Sequence, residues 1–316
     1  MSDTTIAALL GRRVWDSRGR PTVEVEVTLA GGAIGRAIAP AGASRGTHEA
    51  IDLRDGGTRF GGLGVDRAVA NVNGEIARRL RGMDASDQDA LDGALVALDG
   101  TPQLARLGGN AVIATSMAAL QAAAAASGQP LWAYLAQGRP VRLPMPEIQI
   151  FGGGAHAGRR VDVQDFMVMP IGAKCFAEAL DITAEVYRAA GELMAQAGKL
   201  QGVADEGGFW PAFDTNEEAL ETLVRAIEHA GFTPGDEAAI SLDVAASEFG
   251  KNGRYRFGLE DRAFDSDALG ELLLGWLDRY PSSPSRTRWR RTIPREWRSS
   301  PPRPQATCRS SATTTW

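Results

Sequence analysis

The sequence predicts an α/β protein of two domains followed by an unstructured tail, on three observations. A strand that alternates apolar and polar residues precedes a long helical stretch. Beyond a proline-rich segment, short apolar strands come between amphipathic helices, which is the pattern of β/α units. After about Pro281 the composition changes to Arg, Ser, Pro and Thr, which cannot build a packed core. The predicted domains are residues 1–138 and 139–280, and residues 281–316 form a disordered Arg/Ser/Pro-rich tail.

The first domain contains the segment TVEVEVTL, from Thr22 to Leu29. Its valines and leucine fall on one face and its glutamates and threonine on the other, which predicts an antiparallel strand buried on one side. The segment AGGAIGRAIAP predicts a second strand that returns after a Gly-Gly turn. Residues 66–138 carry helical patterns, so we expect an α+β domain. The Ala-rich run from Ala111 to Ala126 is short and weakly apolar, which favours a buried helix over a membrane span.

The second domain begins after GRPVRLPMP, which has three prolines in nine residues. We expect strands in EIQIF, DFMVMP, GVADEG and AAISLDVA, and helices in CFAEALDITAEVYRAAGELMAQAG and NEEALETLVRAIEHAG. Alternating strands and helices favour a largely parallel sheet, with catalytic groups at the carboxyl ends of its strands. The polar residues at predicted strand ends are Gln164, Asp165, Asp205, Glu206 and Asp243.

Charge is distributed unevenly along the chain. Residues 281–316 hold eight Arg and one Glu, so residues 1–280 keep 26 of the 34 Lys and Arg and 38 of the 39 Asp and Glu, a net charge of −12. This acidic body argues against nucleic-acid binding. The amino terminus lacks the pattern of a signal peptide, and two cysteines imply no disulfide framework. We therefore expect a cytoplasmic protein without a membrane or nucleic-acid partner.

Several motifs hold residues that could carry chemistry, and each also has a structural explanation. Ser44 lies in a flexible Gly-rich loop, and His156 lies in a Gly-rich turn where backbone can approach a ligand. The carboxylates of Asp165 and Glu206 beside apolar strands can act as general acids, bind a hard cation or form salt bridges. Asp243 ends an apolar strand, where it can serve either as a Mg²⁺ ligand or as a cap of the next turn.

In order and spacing, these motifs together resemble the enolase family. The resemblance extends from about residue 6 to Tyr280 and is carried by VWDSRGRPTVEVEV, PAGASRGTHEAIDLRDGG, GGNAVIATSMAALQAAAAASGQPLWAYLA, GGGAHAGRRVDVQDFMVMPIGA, GVADEGGFWP and ISLDVAASEFG. It implies an enolase-like fold, in which an α+β N-terminal domain is followed by the first half of a β/α barrel. It also implies a lyase of glycolysis, a phosphopyruvate hydratase that dehydrates 2-phosphoglycerate to phosphoenolpyruvate with Mg²⁺ and forms a homodimer.

The resemblance also implies a role for each motif residue. Glu206 is the catalytic acid that assists departure of the β-hydroxyl group. His156 and Asp165 contact the substrate, a small phosphorylated hydroxy acid. Asp243 is a ligand of the tightly bound Mg²⁺, and Ser44 reaches a second Mg²⁺ when its loop closes. In this superfamily a Lys or His base removes the proton while Mg²⁺ stabilises the ene-diolate.

Some residues depart from the family pattern. Asp165 is one methylene shorter than the usual Glu, and Gly152 to Ala155 replace Asn-Gly-Gly-Ser. Arg45 and Arg159 stand where Thr and Asn are common. Shorter side chains and added positive charge suit a larger or more anionic substrate. A phosphonate analogue, as used by carboxyphosphonoenolpyruvate synthase in phosphonate biosynthesis, is therefore an alternative substrate, and a non-catalytic enolase remnant is a further alternative.

The segment after Pro281 lacks the remaining family motifs. These are two Mg²⁺ ligands, in EDP and GDD, and a base lysine that none of Lys174, Lys199 and Lys251 matches. Codons can be chosen for residues 285–289 and 310–316 that encode Glu-Asp-Pro-Leu and Gly-Asp-Asp when the frame moves by one base. We therefore expect that the tail is an enolase barrel read out of frame and that the chain is inactive. The alternative is a true disordered tail that binds anions.

Overall fold

The computed structural model describes residues 3–42, 46, 48–204 and 206–282, and for His156 the backbone alone. The chain divides into two compact units, Met1–Val141 and Arg142–Trp316. The division falls inside the proline-rich segment GRPVRLPMP, where we placed the domain boundary after residue 138. Residues 283–316, which make up most of the predicted tail, lie outside the described residues.

The N-terminal unit contains a three-stranded antiparallel sheet whose strands follow chain order. Their bounds are β1 Ile6–Trp15, β2 Pro21–Leu29 and β3 Ile34–Ala39. The predicted pairing of β2 with β3 is confirmed. Alternation along β2 buries its valines, while Glu24 and Glu26 project from the other face and form ion pairs with Arg12 of β1 and Arg36 of β3. β1 was not predicted, because IAALLGRRVW does not alternate.

Helices follow this sheet, as the helical patterns predict. Their bounds are α1 Asp66–Asn71, a π-helical turn Val72–Ile76, α2 Ala77–Leu80, α3 Gln88–Asp99, α4 Gly109–Ala126 and α5 Leu131–Ala136. α4 packs directly on β3: a Cβ atom at Gly35 would lie 2.1 Å from the carbonyl oxygen of Ala118 and 2.2 Å from the nitrogen of Ala122. Small residues on both elements are what allow this approach.

α4 is the central helix of the N-terminal unit. By length and composition this helix could cross a membrane. From the sequence we expect the run from Ala111 to Ala126 to be too short and too weakly apolar to do so. However, 61% of the helix is buried inside the protein. Ala114, Ala118 and Ala122 repeat at every fourth position and are fully buried against the sheet and neighbouring helices. The helix is therefore buried in the core, as its composition predicts.

The C-terminal unit is built on a five-stranded sheet in the order β6, β7, β4, β5, β8. The strand bounds are β4 Ile148–Gly152, β5 Asp165–Met169, β6 Leu200–Val203, β7 Phe209–Pro211 and β8 Ala239–Asp243. Two long helices, α6 Phe176–Gln196 and α7 Asn216–His229, pack on it. The strands predicted in EIQIF, DFMVMP and AAISLDVA and both predicted helices are present, whereas the strand predicted in GVADEG coincides with β6 only at Gly202 and Val203.

The expectation of a largely parallel sheet is wrong. β5 runs antiparallel to both β4 and β8, β6 runs antiparallel to β7, and the one parallel pair that the structure describes within this sheet joins β4 to β7. Parallel neighbours need a long crossover, but residues 153–164, which connect β4 to β5, hold only a 3₁₀ turn. As a result, the amino end of β5 lies beside the carboxyl ends of β4 and β8.

A small second sheet and a last helix complete this unit: β9 Gly250–Lys251, β10 Arg254–Phe257, β11 Arg262–Asp265 and α8 Ser266–Arg279. The side chain of Asp265 caps α8 by accepting a bond of 2.9 Å from the nitrogen of Ala268. After α8 the chain returns to β8. There the nitrogen of Ile240 donates to the oxygen of Pro281 at 2.8 Å, and Ser282 pairs in parallel with Ile240. Pro281 and Ser282, predicted as tail, are thus paired with the sheet.

Candidate active site

Two of the predicted site carboxylates, those of Asp165 and Asp243, lie side by side where strands of the five-stranded sheet begin or end. Asp165 begins β5, and its register partners are Gly152 at the end of β4 and Asp243 at the end of β8. This arrangement follows from the reversed direction of β5, which brings the start of one strand beside the ends of two others. Asp165 is buried, and Asp243 is exposed.

Gln149 of β4 joins Asp165 to the third predicted carboxylate, that of Glu206. Glu206 is exposed and lies in the turn between β6 and β7. The Nε2 atom of Gln149 donates to Oδ1 of Asp165 and to Oε2 of Glu206, the latter at 3.4 Å. The Oε1 atom of Gln149 accepts from the backbone nitrogen of Gly208 at 2.9 Å. One buried amide thus connects two carboxylates, and a backbone N–H group orients it.

Gln164 joins Asp165 to Asp243 in the same manner. Its Nε2 atom lies 3.3 Å from Oδ2 of Asp165 and 3.3 Å from Oδ2 of Asp243. Its Oε1 atom is buried and has no hydrogen-bond partner within the part of the chain that the structure describes. A buried acceptor without a donor is costly, so a group that donates a hydrogen bond to this oxygen or coordinates it would lower that cost.

The oxygen donors at this site are of the chemical type that Mg²⁺ binds. Carboxylate and amide oxygens, such as those of Asp243 and Gln164, are the hard ligands that Mg²⁺ prefers, and Mg²⁺ commonly takes only one or two carboxylates plus substrate and water. Within residues 3–282, as far as they are described, no three His, Cys, Asp or Glu side chains group closely enough to hold a metal. The described residues therefore offer oxygen donors of the kind that Mg²⁺ takes, without a cluster of three such side chains.

The remaining predicted site residues are only partly described. The backbone of His156 lies in the 3₁₀ turn Gly154–Ala157, on the connection from β4 to Asp165. A Cβ atom at Gly153 would lie 2.2 Å from the oxygen of Val163, which explains the glycine at this position. The side chain of His156, like the whole of Ser44, Arg45 and Asp205, lies outside the part of the chain that the structure describes.

Arg159 and Arg160 follow the His156 turn and line a cavity of about 550 Å³ with residues of two other segments, 212–214 and 258–259. Arg159 is 64% exposed at its side chain and forms an ion pair of 3.3 Å with Glu248. The guanidinium group of Arg159 is therefore only partly neutralised and adds positive charge to the loop that carries His156.

Lys199 is held in a way that makes it unsuitable as a base. Its Nζ atom binds Asp214 at 2.8 Å and Glu218 at 2.6 Å, and these hydrogen bonds raise the pKa of Lys199. A lysine with a raised pKa keeps its proton and cannot remove one from a substrate. Lys174 and Lys251 are exposed, in the loop before α6 and in β9.

Sequence reasoning missed Gln149 and assigned no role to Gln164. The available signal at Gln149 was a polar residue inside the otherwise apolar strand IQIF, and Gln164 was noted only as a polar residue at a strand end. The sequence around each glutamine does not reveal the partner of its amide, because Gln149 binds groups that lie 16 and 57 positions away in the chain.

Both units match one protein family. Residues 6–135 match the family described as enolase, N-terminal domain, and residues 140–283 match enolase, C-terminal TIM barrel domain. The second match ends at residue 283, next to the point where Pro281 and Ser282 pair with β8. The fold agrees with these matches: an α+β unit precedes the first strands and helices of a β/α barrel. The chain therefore belongs to the enolase family of lyases.

Proposed function

We propose that this site belongs to an enolase whose parent protein catalyses the Mg²⁺-dependent dehydration of 2-phosphoglycerate to phosphoenolpyruvate, and that the chain of 316 residues binds 2-phosphoglycerate without converting it. The observation that carries the proposal is the row of hydrogen bonds that joins Glu206, Asp165 and Asp243 through two glutamine amides. Loss of water from a hydroxy acid needs an acid at the departing hydroxyl and stabilisation of negative charge at the carboxylate. An acidic cluster with an adjacent cation ligand suits both needs.

In this proposal Glu206, which is exposed in its turn, protonates the departing hydroxyl group. Asp165, buried and bound by two amides, presents a fixed carboxylate to the substrate, and His156 contacts the substrate from the loop before it. Asp243 and Oε1 of Gln164 are the groups that would hold Mg²⁺, with Ser44 as a ligand of a second ion. When bound, Mg²⁺ stabilises negative charge on the substrate carboxylate.

Calorimetric titration of the chain with 2-phosphoglycerate, with and without Mg²⁺, tests the proposal. We expect binding that requires Mg²⁺ and that weakens at least tenfold in Asp243→Asn, because a carboxylate ligand is lost. Asp236→Asn is the matched control, since Asp236 is an exposed aspartate in the turn before β8. Binding that is independent of Mg²⁺, or equal losses in the two variants, would contradict the proposal.

A phosphonate analogue of the substrate is the second candidate, favoured by Arg159 and Arg160 beside the His156 turn. Added positive charge strengthens binding of a more highly charged anion. Competition between 2-phosphoglycerate and a carboxylated phosphonate separates the two. A tenfold preference for the phosphonate that disappears in Arg159→Asn would favour the second candidate, whereas equal or weaker binding of the phosphonate would favour 2-phosphoglycerate.

A further inference from the structure

We infer that Gln149 is a positioning residue whose amide sets the distance between Asp165 and Glu206, and whose length is matched to the aspartate at position 165. The inference rests on the proposed function for the roles of the two carboxylates. The coupling between Gln149 and Asp165 stands on the contacts alone.

The nitrogen and the oxygen of the Gln149 amide bind different groups. Nε2 donates to both carboxylates, and Oε1 accepts from the nitrogen of Gly208 at 2.9 Å. The residue is only 9% exposed, so these bonds form in a region from which most water is excluded. Replacement of the amide by an apolar group would leave the N–H group of Gly208 and the carboxylate of Asp165 without this partner, and buried polar groups without partners are costly.

Two glycines enclose the side chain of Gln149. A Cβ atom at Gly208 would lie 2.4 Å from Oε1 and 2.8 Å from Cδ of Gln149, and a Cβ atom at Gly152 would lie 3.3 Å from Nε2. The backbone at Gly208 therefore approaches the amide more closely than a residue with a Cβ atom would allow. Gly208 and Gly152 thus limit the space into which the amide of Gln149 can move.

The space between the two backbones therefore limits the combined length of the side chains of Gln149 and Asp165. Asp165 is 6% exposed, and its second oxygen is held at 3.3 Å by Gln164. A side chain one methylene longer at position 165 would push its carboxylate into the enclosed amide of Gln149. A shorter amide at position 149 would remove that conflict, because the methylene lost from one residue is the methylene gained by the other.

Thermal unfolding of the full chain and three variants tests the match. We expect Asp165→Glu to lower Tm by about 4 °C, as overpacking of one buried side chain does in a domain of this size, and Gln149→Asn to lower Tm as well. The double variant should recover at least half of the summed loss. If Asp165→Glu does not fold, folding of the double variant is the recovery. Additive losses in the double variant, or no loss in either single variant, would overturn the inference.

Gln88→Asn provides the matched control in the N-terminal unit. Gln88 is a glutamine of α3 whose Nε2 donates to Asp92 at 3.0 Å and to Oγ of Ser116 at 2.9 Å. Combined with Asp165→Glu, it should give additive losses of Tm, since substitutions that share no hydrogen-bond partner add. Recovery in this control combination would show that the effect is not specific to Gln149, and would also overturn the inference.

Binding of 2-phosphoglycerate in the presence of Mg²⁺ separates positioning from packing. Gln149→Met keeps the length of the side chain but removes the amide, and we expect it to weaken binding by about tenfold, as loss of a group that orients site residues does. The Gln149→Asn and Asp165→Glu pair should restore binding towards that of the unchanged chain. Unchanged binding in Gln149→Met would overturn the positioning role. If the unchanged chain binds no 2-phosphoglycerate, the proposed function fails, while the Tm comparison still decides the coupling.

Discussion

At the scale of single residues, Asn216 anchors the loop that leads into the site. It is fully buried at the start of α7. Its Oδ1 accepts from the nitrogens of Asp162 and Val163 at 2.7 and 3.2 Å, and its Nδ2 donates to Asp162 and Glu260, each at 2.9 Å. This side chain therefore holds the approach to Gln164 and Asp165 against helix α7.

We expect Asn216→Ala to lower the free energy of unfolding by about 3 kcal/mol, because it leaves several buried polar groups without partners. Urea unfolding of the chain measures the change. Gln196→Ala, at an exposed position of α6, should change stability by less than about 0.5 kcal/mol. A loss in Asn216→Ala no larger than that of the control would contradict the anchoring role.

Asp99, the last residue of α3, gives the N-terminal unit a dependence on pH. Burial raises the pKa of Asp99, but hydrogen bonds from Thr101 and from the backbone N–H group of Leu107 outweigh burial and lower that pKa below its ordinary value of 3.8. A carboxyl group whose pKa is lowered by folding stabilises the folded state above its unfolded pKa, and this contribution is lost as pH falls through the folded pKa.

We therefore expect the free energy of unfolding to fall as the pH decreases below about 4, and Asp99→Asn to reduce this dependence while lowering stability at neutral pH. Urea unfolding of both chains between pH 7 and the acid range measures the two slopes. Asp236→Asn, at an exposed site, should keep the slope of the unchanged chain. Identical slopes in Asp99→Asn and the unchanged chain would refute this account.

At the scale of elements, the contact between α4 and β3 decides the packing of the N-terminal unit. Gly35 leaves no space for a Cβ atom, because backbone atoms of Ala118 and Ala122 lie within 2.1 and 2.2 Å of the position that it would occupy. Backbone cannot give way as a flexible side chain can, so a larger residue must displace the helix from the sheet.

Gly35→Ala should accordingly destabilise the protein by about 3 kcal/mol, at the upper end of overpacking effects. Gly93→Ala is the matched control in α3, where no atom lies within 4 Å of the added Cβ. There the same change should stabilise by about 0.5–1 kcal/mol, since alanine favours helix and glycine does not. Thermal unfolding of both variants gives the comparison, and equal effects would exclude the close contact as the cause.

At the scale of the whole molecule, we expect the chain of 316 residues to bind its substrate without converting it. Lys199 is held protonated by two carboxylates, and Lys174 and Lys251 are exposed. Proton removal from carbon needs a base within hydrogen-bond reach. An assay for phosphoenolpyruvate at saturating Mg²⁺ and 2-phosphoglycerate should detect no product, and measurable turnover would refute this assignment of the lysines.

Local patterns in the sequence determined the elements and the candidate residues. Alternation in TVEVEVTL, helical periods and glycine or proline boundaries depend on neighbouring residues, so β2, β3, α4, α6 and α7 could be predicted. Motif order identified the enolase family and selected Asp165, Glu206 and Asp243. β1 and the small sheet β9–β11 escaped prediction, because their stability comes from pairing with other strands rather than from a clear alternation of their own.

The tertiary structure alone decided strand direction and the partners of buried polar groups. The short connection between β4 and β5 reverses β5, and this reversal brings Asp165 beside Asp243. The amides of Gln149 and Gln164 then join carboxylates that are far apart in the chain. Residue types and short spacings record which groups are present, whereas hydrogen bonds between distant segments depend on the packing of the whole sheet, which no local pattern contains.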